Sequence, residues 1–298
     1  MSNDNSTLKT LFKSGVVAFL LGFIGYVIMF LFRLWSARYL GSADYGLFSL
    51  AETILGLVSL IAGIGLASGL PRYIPFYREK QQKGLEKGYS NFVIYGSLLS
   101  SLFFGVSLFF LSTVLAGIFN VPEGFSFVIR IIAIAVPFKV LGVVFRKFFL
   151  ANENVFYERV SFQVLRNTVL FFGLGTVWYY ELSYTSLVCF LLLSELIELV
   201  FDYTVYKAKF EQNYKPRALY EYKRWIYFSL PLLFVGAFRF LINWTDNLVI
   251  GGFLTPSELG VYSVAYSFAN FLTFFQGSLS GIFMPLMMSE FSKGNFSK

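Results

Sequence analysis

Long apolar runs of about 20 residues or more, separated by short polar stretches, recur along the whole chain. Wound as an α-helix, such a run crosses the roughly 30 Å hydrocarbon core of a bilayer. The short apolar–polar alternation that barrel strands would need is not present. The pattern predicts eight transmembrane helices, at roughly 14–36, 45–70, 90–113, 124–149, 159–180, 183–206, 225–250 and 259–285. The longest connections fall at about 71–89 and 207–224.

One stretch of this pattern returns. Arg38 to Pro71, shifted by about 214 residues, lies without a gap over Gly252 to Pro285. Leu40, Gly46, Ser49, Ala51, Gly63 and Pro71 meet Leu254, Gly260, Ser263, Ala265, Gly277 and Pro285, with Asp44 against Glu258 and Phe48 against Tyr262. Each copy reads as a polar turn carrying an acid, then a glycine, then a long apolar helix that ends on Pro. Duplicated helix pairs of this kind build the two halves of many membrane transporters. The expected fold is therefore an all-α integral membrane protein. A six-helix N-terminal lobe (1–213) is followed by the first two helices of a repeat-related, truncated second lobe (214–298).

Composition supports that class: of 298 residues, 56% are hydrophobic and only 14% charged, with 38 Phe and no His. The formal net charge of +7 is explained by the loops and gives no reason to expect nucleic acid. Lys9, Lys13, Arg72, Arg78, Lys80, Lys83, Lys87, Arg146, Lys147, Arg159, Lys207, Lys209, Lys215, Arg217, Lys223, Arg224, Lys293 and Lys298 all fall on one side of the predicted topology, and Arg38 alone on the other. Basic loops mark the cytoplasmic face, so both termini are expected inside the cytoplasmic membrane. The single cysteine, Cys189, excludes an internal disulfide and reads as a buried, inert thiol.

Charges within the spans carry the candidate chemistry, because a charged side chain in a bilayer is costly unless it is paired or used. Glu195, Glu198 and Asp202 share one helix face opposite Gln163, Arg166 and Asn167, and depth counting predicts a structural Arg166–Glu198 pair, with Asp202 near enough to the inner edge to reach water. Arg239, Asn243 and Asp246, spaced i, i+4 and i+7, form a polar stripe that must face protein or water. Arg33 and Asp246 fall at near-equivalent outer ends in the two copies and could close as an ion-pair gate, although Arg33 can equally snorkel outward. Arg130 is close enough to the outer end to do the same. Lys139 follows Pro137, which, like Pro231, is expected to interrupt its helix. No Ser-His or Cys-His arrangement, His-containing metal site, P-loop or GxGxxG exists, so no enzyme activity and no cofactor is expected.

With these residues placed, the chain resembles the MOP flippase superfamily, in particular its polysaccharide-exporter branch. The matching pieces are ARYLGSADYGLFSLA and SLPLLFVGAFRFLINWTDNLVIGGFLTPSELGVYSVAY, including Ser229-Leu230-Pro231, Asp246-Asn247, Gly251 and Glu258-Leu259-Gly260-Val261-Tyr262. The resemblance implies an alternating-access transporter with two lobes around a central, often cationic cavity that accepts a prenyl-pyrophosphate glycan. A pyrophosphate needs Arg or Lys donors in a site shielded from water, and Arg239, Lys139 and Arg33, in that order, with Asn243, are the expected substrate contacts. Ion coupling would fall to the carboxylates Glu52 and Asp246. Expected partners are a lipid-linked glycan, the bilayer and glycan assembly enzymes. Family members usually have a full second lobe, whereas this chain stops after its eighth expected helix, as a fragment, as a chain whose partner supplies the rest, or as a copy that does not transport alone. Two other readings stay open: a MATE-like cation-coupled drug antiporter, disfavoured by Arg33 in the first helix, and a non-transporting subunit of a glycan assembly complex.

Overall fold

The structure, a computed structural model, describes residues 2–119, 121–122, 124–210 and 216–270, with side chains from residue 15 onward. Among the described residues every regular element is a helix. The first helical stretch, Ser2–Gly63, is two helices meeting at Gly41. Gly41 takes φ 80° and ψ 170°, a backbone conformation essentially closed to residues with a Cβ. The chain folds back there into a hairpin of α1 (2–40) and α2 (42–63), in which Phe32 meets Phe48 at 5.8 Å between ring centroids.

The second helix was expected to run to Pro71 but ends at Gly63. Ile64 and Gly65 both take positive φ, and a 3₁₀ turn, Leu66–Gly69, leads into α3, Leu70–Glu79. Pro71 thus opens a helix instead of closing one, in the first turn, where its missing amide costs nothing. There follow α4 (Lys83–Phe110), α5 (Ser112–Ile118), α6 (Phe125–Ala151), α7 (Val155–Tyr179), α8 (Tyr184–Lys209), α9 (Tyr222–Phe253) and α10 (256–270). Six helical stretches are long and apolar enough to cross a membrane, and the first, Gly15–Gly63, holds the two passes on either side of Gly41. The eighth expected helix starts at 256 and is described to 270. Its remainder, repeat positions Gly277 and Pro285, and the lobe boundary at 213/214 lie outside the described residues.

The core is organised around α6, the most buried of the spans, which packs against α4, α8 and the α1–α2 hairpin. It is apolar over most of its circumference, with Ile129, Ile132, Ala135, Val136 and Val140 all buried, as befits a central helix. Pro137 and Pro231 were expected to interrupt their helices. Both α6 and α9 remain helical through them, since neighbouring helices and side chains can take up the carbonyls a proline frees.

Two clasps hold the α9–α10 hairpin to the rest. At one end, Trp225 is fully buried among aromatics and donates its indole N–H to the Tyr77 hydroxyl at 2.9 Å. At the opposite end the two repeat copies pack against each other. Ser49 and Ser263, equivalent positions 214 apart, share a hydrogen bond of 2.9 Å. A Cβ at Gly46 would strike the Pro256 carbonyl, and one at its mate Gly260 would strike the Ser42 carbonyl. Since positions 42 and 256 are themselves mates, the contact is self-complementary about a local two-fold axis, in the manner of an isologous interface.

A cationic cavity between the hairpins

α1, α2, α6, α7 and α9, with the 66–69 turn and α4, leave between them a cavity of about 540 Å³. Its wall carries Arg33 from α1, Lys139 and Arg146 from α6, and Arg166 from α7, against one lining carboxylate, Glu52 from α2. Phe162, Phe240 and Trp244 supply aromatic surface.

Local sequence explains how these groups arrive. Lys139 and Arg146 lie seven residues apart on α6 and so share a face. Arg166 follows a π-helical stretch, Val160–Leu165, an irregularity that often marks functional positions. That stretch also turns Phe162 toward the cations: the Arg146 guanidinium lies 4.7 Å and that of Arg166 6.0 Å from the ring centroid. α7 sits close enough to α1 for Asn167 to donate to the Gly25 carbonyl at 3.0 Å. A Cβ at Gly25 would run into the backbone of Gln163, so this approach needs the small residue.

The charges form a chain across five helices. Arg33 Nη2 lies 3.7 Å from Glu52 Oε2, and Glu52 Oε1 accepts from Arg166 Nη2 at 3.1 Å. Arg166 Nε donates to Glu195 Oε1 at 3.0 Å, and Lys139 Nζ reaches the same oxygen at 2.9 Å. A second group lies behind it, where Arg146 pairs with Glu198 beside the buried Asp202. Glu195, Glu198 and Asp202 are all but fully buried, so the cations turn toward the cavity and most of the carboxylates away from it. In so dry a setting their fields are only weakly screened.

Several expectations change here. Arg166 does not pair with Glu198 but with Glu195 and Glu52. The π stretch just before Arg166 departs from the regular α-helical rise that fixes depth along a span. Asp202 does not reach water. Arg146, expected with the loop cations, belongs to the cavity wall because it shares the inward face of α6 with Lys139. Cys189 is exposed on the outer surface of α8, because an apolar run does not say which face is buried.

Of the residues singled out as contacts, Lys139, Arg33 and Glu52 line the cavity. Arg239 and Asn243 do not: both are exposed on α9, Asn243 donating to the Arg239 carbonyl at 2.6 Å, while Phe240 and Trp244 take the cavity-facing positions. The outer gate is not formed, since Arg33 contacts Glu52 and donates to Ser267 Oγ at 3.3 Å, while Asp246 accepts from the Tyr262 hydroxyl. In the repeat frame the mate of Arg33 is Asn247, and Asp246, one position earlier, is turned about 100° away. Arg130 is exposed, as expected of a snorkelling residue, and donates to Ser112 Oγ at 3.1 Å. Arg146 and Arg166 are wall residues that the sequence did not assign as contacts; for Arg146 the i+7 spacing from Lys139 was the available signal.

Such a wall suits a multiply charged oxyanion, because guanidiniums offer paired donors matched to phosphate oxygens. Comparison with known proteins gives the arrangement a context. A family model described as polysaccharide biosynthesis protein matches residues 11–290. The chain is 25% identical over 243 residues to the succinoglycan biosynthesis transport protein ExoT of Rhizobium meliloti (strain 1021), an alignment that covers 78% of this chain and 44% of that protein. The chain thus spans less than half the length of that relative. No solved structure matches.

Proposed function

Because the chain belongs to the polysaccharide biosynthesis protein family of the MOP flippases, we propose that it moves a prenyl-pyrophosphate-linked oligosaccharide across the cytoplasmic membrane by alternating access. The observation that carries this reading is the cavity wall, four cations and one carboxylate facing a space of about 540 Å³ inside a membrane bundle. The relative's role in succinoglycan biosynthesis transport supports a glycan as the cargo.

In this reading Arg33, Lys139, Arg146 and Arg166 hold the pyrophosphate, and the glycan occupies the remainder of the cavity. Arg239 and Asn243 serve the same path from the face of α9 that a second lobe would cover, since an exposed polar stripe at membrane depth needs protein or water against it. Glu52 and Asp246 are the carboxylates available for ion coupling. In this reading the termini lie in the cytoplasm, which the one-sided distribution of basic loops supports. The cationic wall disfavours a carrier of cationic drugs, which would need the opposite charge.

The test is a reconstituted or cell-based flipping assay that scores lipid-linked glycan on the outer face. Arg33→Gln and Lys139→Met should each slow flipping by at least about tenfold, the cost of one charge-assisted contact. Flipping by these variants at the parent's rate would remove the cavity from the path.

A further inference from the structure

Glu52 has a position that pairing alone does not explain. Arg166 and Lys139 already share Glu195, and Arg146 has Glu198. Glu52 nevertheless extends into the cavity and gives one oxygen to each of two arginines on different helices, Arg166 on α7 at 3.1 Å and Arg33 on α1 at 3.7 Å. The second distance is too long for a hydrogen bond, so the Arg33 end is loosely held. The repeat frame sharpens the point. The mate of Glu52 is Tyr266 and that of Arg33 is Asn247, so the hairpin architecture forms in its second copy with neither charge. Two arginines converging on a pair of oxygens, one oxygen each, make the arrangement that receives a phosphate.

We propose that Glu52 is a resident counter-anion. It holds Arg33 and Arg166 in the empty cavity, yields them to the phosphate of an arriving substrate, and recaptures them on release. The inference rests on the reading of the cavity as a phosphate site and adds a selectivity rule to it. A monoanion gains nothing by replacing a tethered carboxylate of equal charge. A phosphate group carrying about −1.5 to −2 does gain, so Glu52 admits phosphate-bearing ligands and turns away chloride and simple carboxylates. The displaced side chain stays among cations, because Lys139 on α6 also acts on it electrostatically.

The experiment measures binding of inorganic pyrophosphate to the purified full chain in lipid nanodiscs, for the parent, Glu52→Gln and Glu52→Asp. Glu52→Gln keeps an oxygen for Arg166 and removes the charge. It should bind pyrophosphate about tenfold tighter and become sensitive to competing chloride that leaves the parent unaffected. In the flipping assay it should lower KM and kcat together, the mark of a ligand bound too well in its ground state. Glu52→Asp, with the charge retained on a shorter arm, should fall between the two, and structural damage would not produce tighter binding in either. Farnesyl pyrophosphate forms a second arm: tighter binding than the inorganic ion assigns the group to a lipid-borne ligand, and the Glu52→Gln gain is expected in both arms. Unchanged or weaker pyrophosphate binding by Glu52→Gln, where the parent binds, overturns the counter-anion role and leaves the phosphate site standing. Absence of binding by parent and variants alike overturns the phosphate site and this inference with it.

Discussion

The two copies of the repeat, α1–α2 and α9–α10, keep one set of contacts and exchange another. Asn247 donates to Thr53 Oγ1 at 3.1 Å, and its mate Arg33 donates to the mate of Thr53, Ser267, at 3.3 Å. Thr53 bonds back to the Ser49 carbonyl at 2.8 Å, and Ser267 to that of Ser263 at 2.7 Å. These bonds lie at the local two-fold and are the same on both sides. The differences lie elsewhere. Phe32 against Phe48 in the first copy becomes Asp246 against Tyr262 in the second, and Glu52 becomes Tyr266. What the copies share is what two hairpins need in order to touch, whereas of the two copies, among the described residues, the first alone adds charge, Arg33 and Glu52, to the cavity wall. The skeleton and the chemistry are therefore separable.

Exchanging the residues at a pair of mates breaks that comparison most severely. Asn247 is 4% exposed among Ser49 and Thr53, and the position matching Glu52 on its own hairpin is Tyr266. Asn247→Arg places a buried charge without a carboxylate and should cost about 3–5 kcal/mol, read as a lower unfolding midpoint in detergent. Arg33→Asn should leave stability nearly unchanged, because Ser267 keeps a donor and Glu52 keeps Arg166. Equal losses in the two directions would mean that the charges belong to the skeleton after all. Next in size is the two-fold contact itself. Gly46→Ala and Gly260→Ala each press a Cβ onto a carbonyl oxygen of the opposite hairpin, and should cost about 1–3 kcal/mol by similar amounts. Gly63→Ala, with nothing within 4 Å, is the neutral control. A marked difference between Gly46→Ala and Gly260→Ala would show the local symmetry to be only apparent.

The skeleton was largely legible in the sequence because bilayer thickness imposes a length on each apolar run and the repeat register needs only identities at fixed spacing. Ser49 and Ser263, aligned by that register, are found hydrogen-bonded to each other. The cavity was legible in part. Lys139, Arg33 and Glu52 stand out as charges inside spans, but which face of a helix turns inward depends on its neighbours. That is why Arg239 and Asn243 formed a true stripe whose direction could not be read, and why Arg146 and Lys147, about 100° apart, were counted together as loop residues. The Arg166 partner was misassigned because a π stretch has no sequence signature comparable to an apolar run. The early end of α2 lies at Ile64 and Gly65, both at positive φ, a break that an uninterrupted apolar run does not reveal.

The smallest expected effect concerns how each copy turns its hairpin. The first uses Gly41 at φ 80°, a device with no ionisable group. The second uses a capping box around Pro256: Thr255 donates its amide and its hydroxyl to Glu258 Oε2, each at 2.8 Å, and the Glu258 amide returns a bond to Thr255 Oγ1 at 3.3 Å. Those bonds from the Thr255 amide and hydroxyl hold the Glu258 carboxyl below its ordinary value of 4.5. A carboxyl depressed in the folded state stabilises above its unfolded pKa, and that contribution disappears as pH falls through the lowered folded value. Gly41→Ala should therefore cost about 1–3 kcal/mol by the same amount at every pH. Glu258→Gln should lower the unfolding midpoint by less, and the gap between parent and variant should close as the solution is acidified below the usual glutamate range. A gap for Glu258→Gln that persists in acid would show that the second turn, like the first, is held by backbone geometry, and that the copies differ in residue type there without differing in mechanism.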